Sequence, residues 1–183
     1  MNKNFIYVKD NFFSEIECDQ IINKFNNNLK EGLKYTGYFY NKLLLDKFVL
    51  DQGFLNFFKK NFLKEINSYK KLYPEIDLTA SYWDLNELTF KKFNKGDYFS
   101  NFHSEHSLKY PNRVLSIQVY LSTHKCGTKF YRNKKLILSK KGRLAIFPAY
   151  FTHTHKGQMC HENKERFILT GYVSFVALGI NEK

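Results

Sequence analysis

Three short stretches of this 183-residue chain hold residue types able to do chemistry: His103-Ser104-Glu105, Thr152 through Gly157 with His153 and His155, and Arg166-Phe167-Ile168. An imidazole and a carboxylate two residues apart share one face of an extended backbone, because side chains alternate along a strand. His103 and Glu105 therefore make half of a metal site. A second imidazole, from His153 or His155, completes two histidines and one carboxylate on one side of a cation, with the opposite positions open to ligands. A rival arrangement pairs His103 with His106 on a helical turn, but Gly96, Pro111 and the surrounding aromatics disfavour a helix there. Taken singly, each histidine also suits a polar loop or a core imidazole bonded to the backbone.

The elements that position these groups change character along the chain. Phe5 to Val8 reads as a short strand. Ser14 and Glu17 form a capping box that opens a helix with Ile16, Ile21, Ile22 and Phe25 on its apolar face, and Asn26-Asn27-Asn28 ends it. Tyr35 to Tyr40, around Gly37, suits a strand or an irregular loop. Leu50 to Leu72 is apolar at helical spacing (Phe54, Leu55, Phe58, Phe62, Leu63, Ile66, Tyr69) and stops before Pro74, which predicts one long helix or two shorter ones packed on a sheet. From about Ala80 the period becomes that of strands. Glu87 to Phe93 alternates, Val114 to Leu121 is β-branched and apolar, and short apolar runs recur at Leu136 to Leu138, Leu144 to Phe147 and Phe167 to Phe175. Turn signals separate them at Asn94 to Asp97, Cys126-Gly127 and Lys140 to Gly142. Helices first and strands after predict an α+β fold, a mainly antiparallel sheet or barrel backed by helices.

The length and the 43% apolar, 18% aromatic composition suit a single domain over residues 1–183, with helical support over about 10–75 and a β core over about 80–176. No run of about 18 uncharged apolar residues occurs, and Met1-Asn2-Lys3-Asn4 lacks the apolar core of a signal peptide, so a soluble, cytoplasmic protein is expected. Cys18, Cys126 and Cys160 form no CxxC pair and are odd in number, which reads as reduced thiols without a disulfide framework or structural zinc. A net charge of +12 raises nucleic acid as a partner. The lysines are scattered rather than set in an aromatic-interleaved stripe, so nucleic acid ranks low as the main substrate.

The order of the pieces resembles a known family. Phe93-Asn94-Lys95-Gly96, His103-Ser104-Glu105, Arg113, Tyr120-Leu121-Ser122, Cys126 through Phe130, Lys141-Gly142 through Phe147-Pro148, His155-Lys156-Gly157 and Arg166-Phe167-Ile168 run as in the Fe(II)- and 2-oxoglutarate-dependent dioxygenases of the prolyl 4-hydroxylase group, particularly its short phage and bacterial members. Tyr7 through Ser14 before Cys18 is similar to the group's first strand and helix, whereas Leu29 to Ala80 carries no matching motif. Glu105 stands where most of the group has Asp, Cys126 replaces the first Gly of a turn, and Phe93 replaces a frequent Tyr.

The resemblance implies a double-stranded β-helix (jelly-roll, cupin-like) core holding Fe(II) through His103, Glu105 and His155, since the family's second histidine precedes x-Gly. It implies 2-oxoglutarate with its far carboxylate on Arg166, a further hydrogen bond from Tyr120, Thr170 lining the same pocket, and Arg113 and Tyr172 meeting the substrate. The implied reaction is hydroxylation, with proline C4 of a peptide or protein as the expected target, O2 consumed, succinate and CO2 released, and ascorbate as a reductant. The alternatives are the same chemistry on a free amino acid or nucleic-acid base, and a binding protein that kept the fold without turnover.

Overall fold

The computed structural model describes residues 4–27, 41–44, 52–78, 83–132 and 134–176. The Tyr35 to Tyr40 segment lies outside them. In chain order the elements are β1 (Tyr7–Lys9), α1 (Glu15–Asn26), β2 (Asn41–Leu44), α2 (Gln52–Leu72), β3 (Trp83–Phe93), β4 (Arg113–Tyr120), β5 (Gly127–Phe130), β6 (Leu136–Leu138), β7 (Arg143–Pro148), β8 (His155–Gly157) and β9 (Arg166–Phe175), with short 3-10 turns at Pro74–Leu78 and Phe151–His153.

α1 begins as its capping box dictates: the Glu17 amide donates to Ser14 Oγ, and Glu17 Oε2 accepts the Ser14 amide at 2.7 Å. Its buried face is Cys18, Ile21 and Phe25. Ile16, expected on that face, is 71% exposed, since two residues of helix turn it about 200° away from Cys18. α2 is one helix, and it buries Phe54, Phe58, Phe62, Ile66 and Tyr69 as a single stripe. Leu63, one residue off the stripe, is 60% exposed. The helix is tied to the first strand by Tyr69 Oη donating to the Phe5 carbonyl and Tyr7 Oη donating to Glu65. No described helix is long and apolar enough to cross a membrane.

The strands form two antiparallel sheets. One has the order β1-β7-β4-β9-β3-β2 and the other β6-β5-β8. β4 and most of β9 are buried along both faces, and alternation splits their side chains between two cores. Leu115, Ile117 and Val119 of β4, with Phe167, Leu169 and Val173 of β9, join the apolar stripes of α1 and α2. Tyr120 and Ile168, with Phe147 of β7, meet Phe130 and Ile137 of the small sheet in the second core. There the rings of Phe130 and Phe147 pack edge-on, 5.0 Å apart. Gly127, at the start of β5, is required by this packing: a Cβ there would run into the Ile137 carbonyl of β6.

Phe58 and Leu63 share a helix and differ in burial. Phe58→Ala should destabilise the protein by about 3–5 kcal/mol, and Leu63→Ala should stay within about 0.5 kcal/mol, measured from urea unfolding midpoints.

Candidate functional site

Two backbone hydrogen bonds bring the first two histidines together. The His103 amide donates to the His155 carbonyl (3.0 Å) and the His155 amide to the His103 carbonyl (2.9 Å), which sets the imidazoles side by side with ring centroids 4.6 Å apart. Glu105 is anchored by its own amide on the Ala149 carbonyl at 2.9 Å. Each Nδ1 faces a carbonyl oxygen at 3.0 Å, that of Asn101 for His103 and that of His153 for His155. A carbonyl only accepts, so the proton of the neutral ring sits on Nδ1 and the lone pair on Nε2. Both Nε2 atoms then point at Glu105 Oε1, at 3.4 Å from His103 and 3.8 Å from His155. One ligand atom from each residue lies within 4.8 Å of the others, and His155 Nε2 is buried with no hydrogen-bond partner among the described residues.

Burial pushes the Glu105 carboxyl up, but the hydrogen bond and charge of His103, with His155 and Lys91 behind, outweigh it and bring the group down to about 2. Burial, reinforced by His103, brings His155 down to about 4. His153 is differently placed. Its Nε2 lies 2.8 Å from the Asn4 carbonyl and its Nδ1 3.0 Å from Thr152 Oγ1, so both ring nitrogens are engaged.

Beside the carboxylate, Arg113 Nη1 lies 3.3 Å from Glu105 Oε2, and Nη2 pairs with the Glu87 carboxylate. Its guanidinium carbon is 3.6 Å from the ring centroids of both Tyr110 and Tyr172. Glu87 is aimed by a register shift between Asn86 and Thr89, where it takes φ +53°. Burial, then the charge of Glu105, holds the Tyr172 hydroxyl well above its ordinary range.

The metal-ligand candidates line a cavity of about 150 Å³ that Arg166, Thr170, Tyr120 and Tyr172 also line. Arg166 is 4% exposed, lies with its guanidinium carbon 4.3 Å from the Phe93 ring centroid, and donates from Nη1 to the Gln158 carbonyl at 3.1 Å. Burial lowers it to about 10, which leaves it cationic at neutral pH. Its Nε and the Thr170 hydroxyl are buried without hydrogen-bond partners among the described residues. Tyr120 Oη donates to Thr128 Oγ1 at 2.7 Å, and the Thr128 hydroxyl donates to Gln118 Oε1 at 2.6 Å.

Gln118, Thr128 and Lys91 line the cavity as well and were not foreseen from the sequence. The available signal was their spacing: Gln118 precedes Tyr120 by two on β4 and Lys91 precedes Phe93 by two on β3. One expectation is corrected. Cys126 and Cys160 are joined as a disulfide, with Cα atoms 5.3 Å apart, rather than held as separate thiols. They are 34 residues apart, and the pairing of β5 with β8 brings their segments together.

No family model and no curated protein matches the sequence. Solved structures match its fold. A viral collagen prolyl hydroxylase from Paramecium bursaria Chlorella virus-1, in complex with 2-oxoglutarate, superposes with a TM-score of 0.72 at 19% identity, over 96% of this chain and 98% of that one. A Pseudomonas putida prolyl 4-hydroxylase gives 0.68 at 13% identity over 95% and 94%. A Trichoplax adhaerens prolyl hydroxylase, in complex with a peptide fragment of the hypoxia inducible factor oxygen degradation domain, gives 0.67 at 13% over 95% and 85%. The chain thus has the mixed, mainly antiparallel fold of these hydroxylases.

The lowered groups fix a pH dependence. A folded-state His155 near 4 against 6.5, and Glu105 near 2 against 4.5, both mean that the unfolded chain binds more protons in those intervals. Stability of the chelator-treated protein should therefore fall as pH drops from 6.5 to 4, and further from 4.5 to 2. His155→Gln should flatten the upper interval in unfolding titrations at stepped pH, and an unchanged slope there would contradict the assignment.

Proposed function

We propose that the chain is an Fe(II)- and 2-oxoglutarate-dependent dioxygenase of the prolyl 4-hydroxylase type, a single domain with a double-stranded β-helix core, whose target is proline C4 in a peptide or protein. The observation that carries this reading is the content of one cavity. A His103, Glu105, His155 donor set turns its lone pairs inward, and the buried Arg166 of the same cavity has a donor that finds no partner among the described residues. Two imidazole nitrogens and one carboxylate oxygen on one side, with no sulfur, suit Fe(II) and leave positions for ligands. The orphaned His155 Nε2 fits an ion better than any hydrogen-bonding role. When bound there, iron with 2-oxoglutarate and O2 would supply the oxidising chemistry that hydroxylates a C–H bond and releases succinate and CO2, with ascorbate as reductant.

The protein's own part is to hold and orient. The Asn101 and His153 carbonyls keep each Nε2 free of a proton. Arg166 offers a charge-assisted fork to the far carboxylate of 2-oxoglutarate, and the unpartnered Thr170 hydroxyl lies on the same strand face. Tyr120 adds a hydrogen bond once its proton turns from Thr128 toward the cosubstrate. Phe93 and Ile168 supply apolar wall that excludes water around the arginine. Arg113 and Tyr172, stacked beside Glu105, are the side chains assigned to the target residue. The fold shared with a hydroxylase seen with 2-oxoglutarate and another seen with a peptide supports both halves of this reading.

The test is succinate production from 2-oxoglutarate with Fe(II) and ascorbate, with and without proline-rich peptides. Peptide-stimulated turnover with one oxygen atom gained on proline is expected, and His155→Ala should abolish both turnover and iron binding. Arg166→Ala should weaken 2-oxoglutarate binding by about 2–5 kcal/mol, or roughly 30- to 5000-fold in Kd. Turnover uncoupled from peptide would leave the oxygenase and move the substrate to an amino acid or base. Absence of iron binding in the unaltered protein would leave a non-catalytic binding protein.

A further inference from the structure

A second set of donor atoms gathers behind Arg166, on two short segments. His124 and Cys126 stand two apart between β4 and β5, and Cys160 and Glu162 stand two apart between β8 and β9. The His124 side chain is 0% exposed and Cys160 is 7% exposed. His124 Nε2 lies 3.1 Å from the Glu165 carbonyl and 3.1 Å from Ser122 Oγ, which already accepts the Phe167 amide at 2.9 Å. A carbonyl only accepts, so Nε2 carries the ring proton and Nδ1 the lone pair. That Nδ1 is buried, makes no hydrogen bond among the described residues, and faces Glu162 Oε2 at 3.3 Å. Glu162 Oε2 is itself held by the Lys125 amide at 2.8 Å. One donor atom each from His124, Cys160 and Glu162 lies within 4.8 Å of the other two.

The disulfide accounts for the two sulfurs. It does not account for a buried His124 Nδ1 that finds no hydrogen-bond partner among the described residues and faces a carboxylate beside Cys160. A cation does, and the backbone carbonyl on the far ring nitrogen is the support that a metal-bound imidazole needs. We propose that, when the Cys126–Cys160 disulfide is reduced, His124, Cys160 and Glu162 bind Zn2+, with the Cys126 thiolate completing the site. A phosphine supplies two electrons and is oxidised to its oxide by taking the oxygen of one water, whose two protons convert the S–S bond to two thiols; each thiol releases its proton to solvent as it binds the metal. Thiolate, imidazole and carboxylate are zinc donors, and the sulfur separates this set from the sulfur-free one at His103, Glu105 and His155. The site sits against the cavity wall, because Cys126 Sγ is 3.3 Å from Arg166 Nη1. Its occupancy does not depend on the reaction proposed above.

Full-length protein, reduced with a phosphine under anaerobic conditions, is titrated with Co(II) and followed by absorption. A thiolate-to-cobalt charge-transfer band that saturates at one equivalent and is bleached by Zn2+ is expected, and only a sulfur-containing site produces it. Cys160→Ser should remove at least half of the band, since one of the two thiolates is lost, and His124→Ala and Glu162→Gln should each raise the apparent Kd by at least about tenfold. Cooperative thermal unfolding of each variant shows that it is folded, and His124→Ala and Glu162→Gln carry the test if Cys160→Ser is not. Reduced protein without the band overturns the proposal, and is the result that a protonated His124 paired with Glu162 predicts. A band left unchanged in the folded variants overturns it equally.

Discussion

The structure depends most on the pairing of β9 along both of its edges. β9 is bonded to β3 on one side, with Phe93 opposite Arg166 and Lys91 opposite Ile168, and to β4 on the other, with Gln118 opposite Thr170. Because side chains alternate, a slip of one residue would send Arg166, Thr170 and Tyr172 toward the helices and Phe167, Leu169 and Val173 into the cavity. The cost of that exchange is large. Three apolar side chains would lose the core under α1 and α2, and a guanidinium would enter it. Register is therefore enforced by the helices, although the chemistry lies on the opposite face of the strand.

The buried polar atoms show how the second face is organised. Burying a polar group costs about 1–3 kcal/mol unless it finds a partner, so most such groups are paired. Here His155 Nε2, Arg166 Nε and Thr170 Oγ1 find no partner among the described residues in one cavity, while neighbours of the same types are fully engaged: His153 at both ring nitrogens, and Thr128 between Tyr120 and Gln118. The contrast lies within one local environment. Packing that satisfies His153 and Thr128 while leaving the other three open fits the cation and anionic cosubstrate of the proposed function.

Local signals carried much of this into the sequence. Ser14 and Glu17 marked the start of α1, the phenylalanine stripe marked α2, and His103-Ser104-Glu105 announced a shared face because two residues of extended chain need no tertiary knowledge. The structure brings His103 and Glu105 together with His155, Arg166, Tyr120, Thr170 and Tyr172 around one cavity. What stayed hidden depends on which strand lies beside which. Gln118 and Thr128 meet only because β4 and β5 face one cavity, Glu87 reaches Arg113 only through a register shift, and Cys126 finds Cys160 only through the pairing of β5 with β8. Ile16 failed for a different reason, since an apolar residue on the far side of a helix looks the same in composition as one within its buried stripe.

The glutamate at position 105 connects these scales. Glu has one more rotatable bond than Asp, so a carboxylate meant to face two imidazoles needs something to stop it swinging away. Arg113 supplies that by holding Oε2 at 3.3 Å, which leaves Oε1 turned to His103 and His155. The arginine is in turn fixed by the rings of Tyr110 and Tyr172 on either side and by Glu87 at its other amino group. A planar guanidinium can be stacked on aromatic faces while its edge grips two carboxylates; an ammonium has neither the plane nor the fork. In this chain, then, the donors of Arg113 are directed first at Glu105 and Glu87. Under the proposed function, its influence on a substrate beside Tyr172 would run through the geometry of Glu105 as well as through any direct contact.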